Sequence, residues 1–180
     1  MIVTYPTSKY DTIPLEDFKS GSLEPWSASV LQALVRLTRP LRLLELGAFE
    51  GRTTLALAEV MPPEAHITAV EHDHKRAEIA RVRLESHPRA EVIVSDTIRF
   101  LERAPRASFD FVFVDDDHAQ EHVARELDLL LAGRMTPGGL IVGHDVLGKF
   151  ELDKVFLARG GFIISQPLIH AGGGLGVIQA

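Results

Sequence analysis

The chain contains no cysteine, and this absence removes several kinds of chemistry at once. Disulfide frameworks, thiolate metal sites and cysteine nucleophiles are all excluded. The 180 residues are 46% hydrophobic, which is enough for an ordinary core without covalent cross-links. We therefore expect one domain over residues 1–180, with a leader at 1–25 and a core at 26–180.

Positive charge and long apolar runs are also scarce. The formal net charge is -6 with neutral histidines, and no basic tract occurs, so neither nucleic acid nor a membrane is an expected partner. Charged residues such as Lys9, Asp11 and Glu16 interrupt the first twenty positions, which is unlike a signal peptide or a membrane span. A cytoplasmic location and a small-molecule partner are expected.

Short apolar runs alternate with helical patterns along most of the chain. Runs of about five residues are typical of strands that are buried on both faces. Strands are predicted at 41–46, 66–71, 91–94, 109–114 and 140–142, and helices at 26–37, 53–61, 74–86, 97–103, 121–131 and 150–158. This alternation predicts an α/β fold, a three-layer Rossmann-like doubly wound sheet that is mostly parallel.

The alternation stops near the C-terminus. Two apolar segments, 161–169 and 175–179, are joined by Ala171 and three glycines with no helix between them. Consecutive strands with a glycine-rich link are typical of a hairpin. We therefore predict that the last strand enters the sheet antiparallel to its neighbours.

A glycine turn follows the first predicted strand, in the segment E-L-G-A-F-E-G from residue 45 to 51. Gly47 permits a tight turn and Gly51 a close backbone approach, although both could also be plain turn residues. A dinucleotide loop needs a further glycine where Phe49 stands. Glu45 and Glu50 would repel a pyrophosphate and attract a ligand with an ammonium and a sulfonium, which favours S-adenosylmethionine.

The segment from Glu45 to Thr54 resembles the first motif of class I S-adenosylmethionine-dependent methyltransferases, in the E-x-G-x-x-x-G variant of the catechol O-methyltransferase-like group. The predicted order of elements from about Trp26 to Ala180 is similar to that family. The resemblance implies that Gly47 lies against the methionine moiety and that Glu45 holds its amino group. The other cofactor-binding residues expected in this loop are Ala48, Phe49, Gly51 and Thr53.

Two later strand ends agree with this resemblance. Glu71 lies about twenty residues past the glycine turn, where a carboxylate can accept hydrogen bonds from both ribose hydroxyls. Asp96 resembles the position that binds the adenine amino group, and it suits a helix N-cap equally well. His72, Ser95 and Thr97 flank these carboxylates and are expected in the same cofactor pocket.

A run of three aspartates and a histidine, residues 115–118, follows the fourth strand. Adjacent carboxylates repel one another, and a divalent cation would relieve that repulsion. His144 and Asp145 end the neighbouring fifth strand, so Asp115, His144 and Asp145 are predicted metal ligands, and Asp115 is also expected to contact the cofactor.

The arrangement is similar to metal-dependent O-methyltransferases, which place an acidic ligand after the fourth strand and a D-N pair after the fifth. His144 departs from that pair, and imidazole suits transition metals better than magnesium. The D-x-D-H and G-H-D patterns also resemble a branch that includes sugar and antibiotic O-methyltransferases and cephalosporin hydroxylase-type proteins. Magnesium and a transition metal both stay open as the cofactor.

The resemblance implies methyl transfer to a hydroxyl oxygen of a small molecule. His118 and Asp115 are the predicted catalytic residues, with His118 as the base because an imidazole titrates near neutral pH. His118 could instead be a surface histidine, and Lys149 is the alternative base. His72 and His74 could bind metal, but a solvated pocket rim is favoured.

Two other functions stay open, a noncatalytic S-adenosylmethionine-binding protein and a nucleotide-dependent oxidoreductase. Acceptor specificity is expected from the leader, the loop after Asp145 and the glycine-rich hairpin. A chain of this length has little room for a lid, so a homodimer that completes the pocket is expected.

Overall fold

The computed structural model describes residues 23–165 and 173–180. Its strands are β1 (Arg42–Leu46), β2 (His66–Glu71), β3 (Ala90–Val94), β4 (Phe109–Val114), β5 (Met135–Gly143), β6 (Phe162–Ile164) and β7 (Leu175–Gln179). Its helices are α1 (Pro25–Thr38), α2 (Arg52–Ala58), α3 (His74–Arg83), α4 (Thr97–Arg103), α5 (Gln120–Leu129) and α6 (Leu152–Leu157). Most of the predicted leader lies outside the described residues. Within them, no helix combines the length and apolarity needed to cross a membrane.

The seven strands form one sheet in the order β3-β2-β1-β4-β5-β7-β6. The first five strands are mutually parallel where they pair. Strand β7 runs antiparallel to both β5 and β6, which confirms the predicted antiparallel ending. The strand order reverses beside β1, so the carboxyl ends of β1 and β4 meet at the place where open α/β sheets bind ligands.

Helices cover both faces of the sheet and give it three layers. Neighbouring residues of a strand point to opposite faces. Accordingly, Leu43 packs in a core with Leu31 of α1 and Leu57 of α2, whereas Leu44 packs in a second core with residues of α4, α5 and α6. Strand β1 is therefore buried on both faces, as its short apolar run predicted.

Strand β5 is longer than predicted. We expected it to follow the turn at residues 137–139, but it begins at Met135 and includes that turn. The backbone groups of the turn find partners at the chain end, because Gly138 N donates to Ala180 O at 2.6 Å and Ala180 N donates to Gly139 O at 2.9 Å. The ladder continues through the turn with a register shift opposite β4.

The ring of Phe156 in α6 packs against two paired glycines of the sheet. Gly143 and Gly176 are opposite each other on β5 and β7. A Cβ at Gly143 would lie 2.3 Å from Cζ of Phe156, and one at Gly176 would lie 2.6 Å from its Cγ. The two glycines therefore form the surface on which a fully buried aromatic ring lies.

This contact can be tested by a double-mutant cycle. We expect Phe156→Ala to lower the free energy of unfolding by about 3–5 kcal/mol through lost burial, and Gly176→Ala to lower it by about 1–3 kcal/mol through overpacking. In the Phe156→Ala background, Gly176→Ala should cost much less, since the clashing ring is gone. Urea denaturation measures all four proteins. Phe162→Ala, at a ring that is 57% exposed, is the control, and full additivity would contradict the proposed contact.

Candidate functional site

The glycine turn after β1 lies directly against the loop after β4. A Cβ at Gly47 would lie 2.4 Å from the backbone oxygen of Asp115 and 2.6 Å from Cα of Asp116, and φ of Gly47 is +90°. Both the steric contact and the left-handed backbone require glycine here. Asp115 N also donates to Leu46 O at 2.9 Å, which holds the two loops together.

Gly51 lies against helix α3, which leaves no room for a side chain at this position. It precedes α2 with φ of 75°, and a Cβ there would lie 2.9 Å from Cβ of Ala80 in α3. We predicted a close backbone approach at Gly51, and the described structure accounts for it by packing between α2 and α3. The prediction that Gly51 contacts the cofactor stays a prediction.

Glu45 is a buried acid beneath the glycine turn. Its side chain is 1% exposed, and Thr54 of α2 donates a hydrogen bond to it. Burial, with a smaller contribution from the nearby carboxylates of Asp115 and Glu71, raises the pKa of Glu45 to about 8. Glu45 is therefore mostly neutral at pH 7 when no cation lies beside it.

Glu71 fixes the shape of the loops around it. One carboxylate oxygen accepts a hydrogen bond from Phe49 N and the other accepts one from Asp73 N, both at 2.8 Å. Phe49, whose φ is 49°, is thereby held in a left-handed conformation. His72 is exposed, with Nδ1 3.3 Å from Glu71, and His74 is also exposed at the start of α3.

The residues after β3 make local contacts. Asp96 accepts a hydrogen bond from Arg99 N at 2.9 Å, so it is an N-cap of α4, as one of the two interpretations predicted. Ser95 donates its hydroxyl proton to the backbone oxygen of Asp96. The hydroxyl of Thr97 donates to Asp116 at 2.9 Å. A role of these residues in adenine binding stays a prediction.

The predicted metal ligands Asp115 and Asp145 both face His144, and the ligand atoms of His144, Asp145 and the unpredicted Glu24 all lie within 4.8 Å of one another. His144 is 7% exposed, and its Nδ1 lies 3.2 Å from Asp115 Oδ1 while its Nε2 lies 2.8 Å from Glu24 Oε2. Burial lowers the pKa of His144, but the hydrogen bonds with Asp115 and Glu24 outweigh it and raise that pKa to about 10. His144 is therefore a buried cation between two carboxylates.

His118 lies on the other side of the same carboxylates. Its Nε2 is 3.4 Å from Asp145 Oδ2 and 3.7 Å from Asp115 Oδ1, and this nitrogen accepts or donates no well-formed hydrogen bond among the described residues. The ring packs against Phe150 with centroids 4.6 Å apart. The carboxylate of Asp145 raises the pKa of His118.

One cleft of about 230 Å³ joins the glycine turn to these acidic and imidazole groups. Among the predicted site residues, the cleft is lined by Gly47, Ala48, Phe49, Thr53, Asp115, His118, His144 and Asp145. Seven other predicted cofactor-binding residues do not line it: Glu45, Gly51, Glu71, His72, Ser95, Asp96 and Thr97. Eight of the predicted residues therefore line one cleft, and their roles in binding stay a prediction.

Sequence reasoning missed Glu24 and a second polar cluster. Glu24 stands just before α1, 120 positions from the His144 that it contacts, and no local pattern links the two. The second cluster joins Asp116 to His122 and Glu126 on α5. The four-residue spacing of His122 and Glu126 puts both on one helix face, and this spacing was the signal that could have revealed them.

Comparison with known proteins identifies the family of this chain. A family model described as "Methyltransferase domain" matches residues 44–146. A catechol O-methyltransferase of Mycobacterium tuberculosis is 30% identical over 128 residues, covering 69% of this chain and 52% of that protein. One from Niastella koreensis is 26% identical over 132 residues, covering 70% of this chain and 58% of that protein. The chain thus spans about half the length of these curated relatives.

Solved structures share the fold. An O-methyltransferase from Bacillus cereus in complex with SAH superposes with a TM-score of 0.71 at 20% identity, covering 92% of this chain and 86% of that one. The O-methyltransferase TomG from Streptomyces achromogenes in complex with SAM gives 0.72 at 22% identity, covering 91% and 84%. The sheet order and the acidic glycine turn are those of a class I methyltransferase. Within this class, the chain belongs to the methyltransferase domain family whose model it matches from β1 to the loop after β5.

The buried acid predicts a pH dependence of stability. Because the pKa of Glu45 rises from 4.5 in the unfolded chain to about 8 in the folded one, its favourable contribution is complete below pH 4.5 and is lost as pH rises towards 8. Glu45→Gln keeps the shape and cannot ionise, so we expect it to raise the free energy of unfolding at pH 7 by about 1–3 kcal/mol.

Urea denaturation at pH 5 and pH 7 measures this effect. The gain from Glu45→Gln should be much smaller at pH 5 than at pH 7, because Glu45 is still nearly neutral there. Glu64→Gln, at an exposed glutamate, is the matched control and should change little at either pH. An equal effect of Glu45→Gln at both pH values would contradict the assignment.

Proposed function

We propose that this chain transfers the methyl group of S-adenosylmethionine to a hydroxyl oxygen of a small molecule with the assistance of a divalent metal ion. One observation carries the proposal. The acidic glycine turn and the group formed by Asp115, His118, His144 and Asp145 line the same cleft at the carboxyl ends of β1, β4 and β5. The relatives of the chain include catechol and caffeoyl-CoA O-methyltransferases, and their names support an oxygen acceptor.

The charges in the cleft suit the cofactor. Glu45 and Glu71 are both buried acids at the strand ends that flank the glycine turn. A bound ammonium beside Glu45 would favour its ionised form, so that a proton leaves as the cation arrives. Glu71 already orders the turn through Phe49 N, and its oxygens keep lone pairs that can accept the ribose hydroxyls.

The metal ligands fit a divalent cation. Histidines that bind a metal usually donate the other ring N–H to a carboxylate, and Glu24 occupies that position at Nε2 of His144. Nδ1 of His144 then faces Asp115 at 3.2 Å and Asp145 at 3.7 Å. Two carboxylates and an imidazole favour a transition metal such as Mn²⁺ or Zn²⁺ over Mg²⁺.

The residues of the chain supply positioning and proton transfer. Bound S-adenosylmethionine supplies an electrophilic methyl group, and a bound divalent cation supplies Lewis acidity that lowers the pKa of an acceptor hydroxyl. Nε2 of His118 accepts the hydroxyl proton, and Asp145 and Phe150 hold the ring in place. Closely placed reactants account for much of the acceleration in such a transfer.

For domain organisation, location and oligomeric state, we keep the expectations from the sequence. We propose a single domain, a cytoplasmic location and a homodimer that completes the acceptor pocket. A noncatalytic S-adenosylmethionine-binding protein is the alternative that the assay below decides.

The proposed base is tested with two substitutions. We expect His118→Gln to lower kcat by about 10²–10⁴-fold, because it removes the proton acceptor, while Lys149→Met changes kcat by less than about threefold. Lys149 places Nζ 4.5 Å from the centre of the Phe150 ring and is the alternative base, so it is the matched control. Methyl transfer from labelled cofactor to a panel of catechols, hydroxycinnamoyl esters and sugars gives the rates.

Cofactor binding is followed in the same proteins. Cofactor at about 100 times its dissociation constant should stabilise each of them by about 2.7 kcal/mol, seen as a raised melting temperature. A shift without turnover on any acceptor would support the noncatalytic alternative. A shift with nicotinamide dinucleotide but none with S-adenosylmethionine would contradict the proposal.

Removal of the metal is the second test. Treatment with a chelator should lower kcat at least about tenfold, and added Mn²⁺ or Zn²⁺ should restore it. In Asp145→Gly, restoration should fail, because a ligand is missing. Glycine is the suitable replacement since Asp145 has φ of 50°, which alanine would adopt only with strain. Unchanged kcat in the chelated protein would contradict metal assistance.

A further inference from the structure

A second group of polar side chains lies between α4 and α5, outside the residues assigned above to the metal and the base. Asp116 follows β4, His122 and Glu126 are one turn apart on α5, and Thr97 begins α4. We call these four residues the α4–α5 cluster. The ligand atoms of Asp116, His122 and Glu126 all lie within 4.8 Å of one another.

The cluster holds a buried carboxylate without hydrogen-bond donors. Glu126 is 0% exposed, and neither of its carboxylate oxygens accepts a hydrogen bond among the described residues. Oδ1 of Asp116 is also buried without a donor. A buried carboxylate is costly unless it is neutralised or coordinated, so this group calls for a ligand.

A single ring proton cannot satisfy the oxygens that surround it. Nε2 of His122 lies 2.9 Å from Asp116 Oδ2, 3.0 Å from Thr97 Oγ1 and 3.4 Å from Glu126 Oε1. This nitrogen carries at most one hydrogen, and several of these atoms compete for it. A divalent cation among them would neutralise both carboxylates and use the ring nitrogen as a ligand.

Two of the three separations between these ligand atoms are close to those of tetrahedral coordination, and the third is within 4.8 Å. Zinc lies about 2.0–2.1 Å from nitrogen and oxygen ligands, so ligand atoms in a tetrahedral site are roughly 3.3 Å apart. The 2.9 Å and 3.4 Å separations from His122 Nε2 bracket that value. Thr97, which donates to Asp116, would orient that ligand as an outer hydrogen-bonding partner.

We propose that Asp116, His122 and Glu126 form a binding site for a divalent transition metal ion, with Zn²⁺ as the best match to one imidazole and two carboxylates. This site is separate from the one proposed at Asp115, His144 and Asp145, and it does not depend on methyl transfer. The ion would join α5 to the loop that carries Asp115 and His118, and its role would be structural.

Protons compete for the site at neutral pH. The carboxylates of Asp116 and then Glu126 raise the pKa of His122 to about 10, and burial raises the pKa of Glu126 to about 7. A cation must displace these protons, because a ligand imidazole is neutral and a ligand carboxylate is ionised.

The test is a calorimetric titration of chelator-treated protein with ZnCl₂. Asp145→Gly serves as the parent, so that the other proposed metal site is already disabled and failure of the methyl-transfer proposal leaves this titration readable. We expect one Zn²⁺ per chain in the parent. Adding His122→Gln or Glu126→Gln should weaken binding at least about tenfold, whereas adding His74→Gln, at an exposed histidine, should leave it unchanged.

Thermal unfolding separates a metal ligand from a merely structural residue. Zn²⁺ should raise the melting temperature of the parent and of the His74→Gln protein, and it should not raise that of the Glu126→Gln protein. Without metal, Glu126→Gln should melt no lower than the parent, because a neutral amide replaces a buried carboxylate whose oxygens accept no hydrogen bond. Absence of Zn²⁺ binding in the parent, or full binding in Glu126→Gln and His122→Gln, would overturn the proposal.

Discussion

The contact between the backbones of Gly47 and Asp115 is the constraint on which the cleft depends. These two loops leave adjacent parallel strands, and the absence of a side chain at residue 47 lets them touch. A larger residue would separate the glycine turn from the acidic residues behind it. The glycine turn and the acidic residues after β4 are therefore held at one distance by the packing of main chain on main chain.

Around this contact, the protein concentrates negative charge and balances it with histidines. His118, His122 and His144 each lie within 3.4 Å of a carboxylate oxygen. The carboxylates raise the pKa of all three rings, and to about 10 for His122 and His144, so these two imidazoles are counterions of the carboxylates when no metal is bound. Such a buried arrangement is costly to maintain, which points to a functional rather than a stabilising purpose.

The fold and part of the walls of the cleft could be predicted from the sequence because both follow local patterns. The apolar strands, the glycine turn and the polar residues at strand ends predicted the parallel sheet, the antiparallel β7 and the convergence of Asp115 with His144 and Asp145. The start of β5 was not predicted because its turn residues form backbone hydrogen bonds with Ala180, which is about forty positions away in the sequence.

The unpredicted parts of the site are those made by distant contacts. Glu24 precedes a helix whose docking on the sheet no local pattern specifies. His122 and Glu126 have the spacing of an ordinary polar helix face, and only the packing of α5 against the sheet buries Glu126 completely. Asp116 could be recognised in the sequence as part of an acidic run. Its contact with His122 on α5 could not, because it depends on the conformation of the loop between the two residues.

The hydrogen bond between Glu24 and His144 also links the position of α1 to the protonation of Nε2 of His144. Glu24 immediately precedes α1, and its contact with Nε2 exists only while that nitrogen keeps its hydrogen. By linkage, anything that takes this hydrogen loosens the first turn of α1, and anything that displaces α1 makes the hydrogen easier to remove. The position of α1 and the protonation of His144 are therefore thermodynamically coupled.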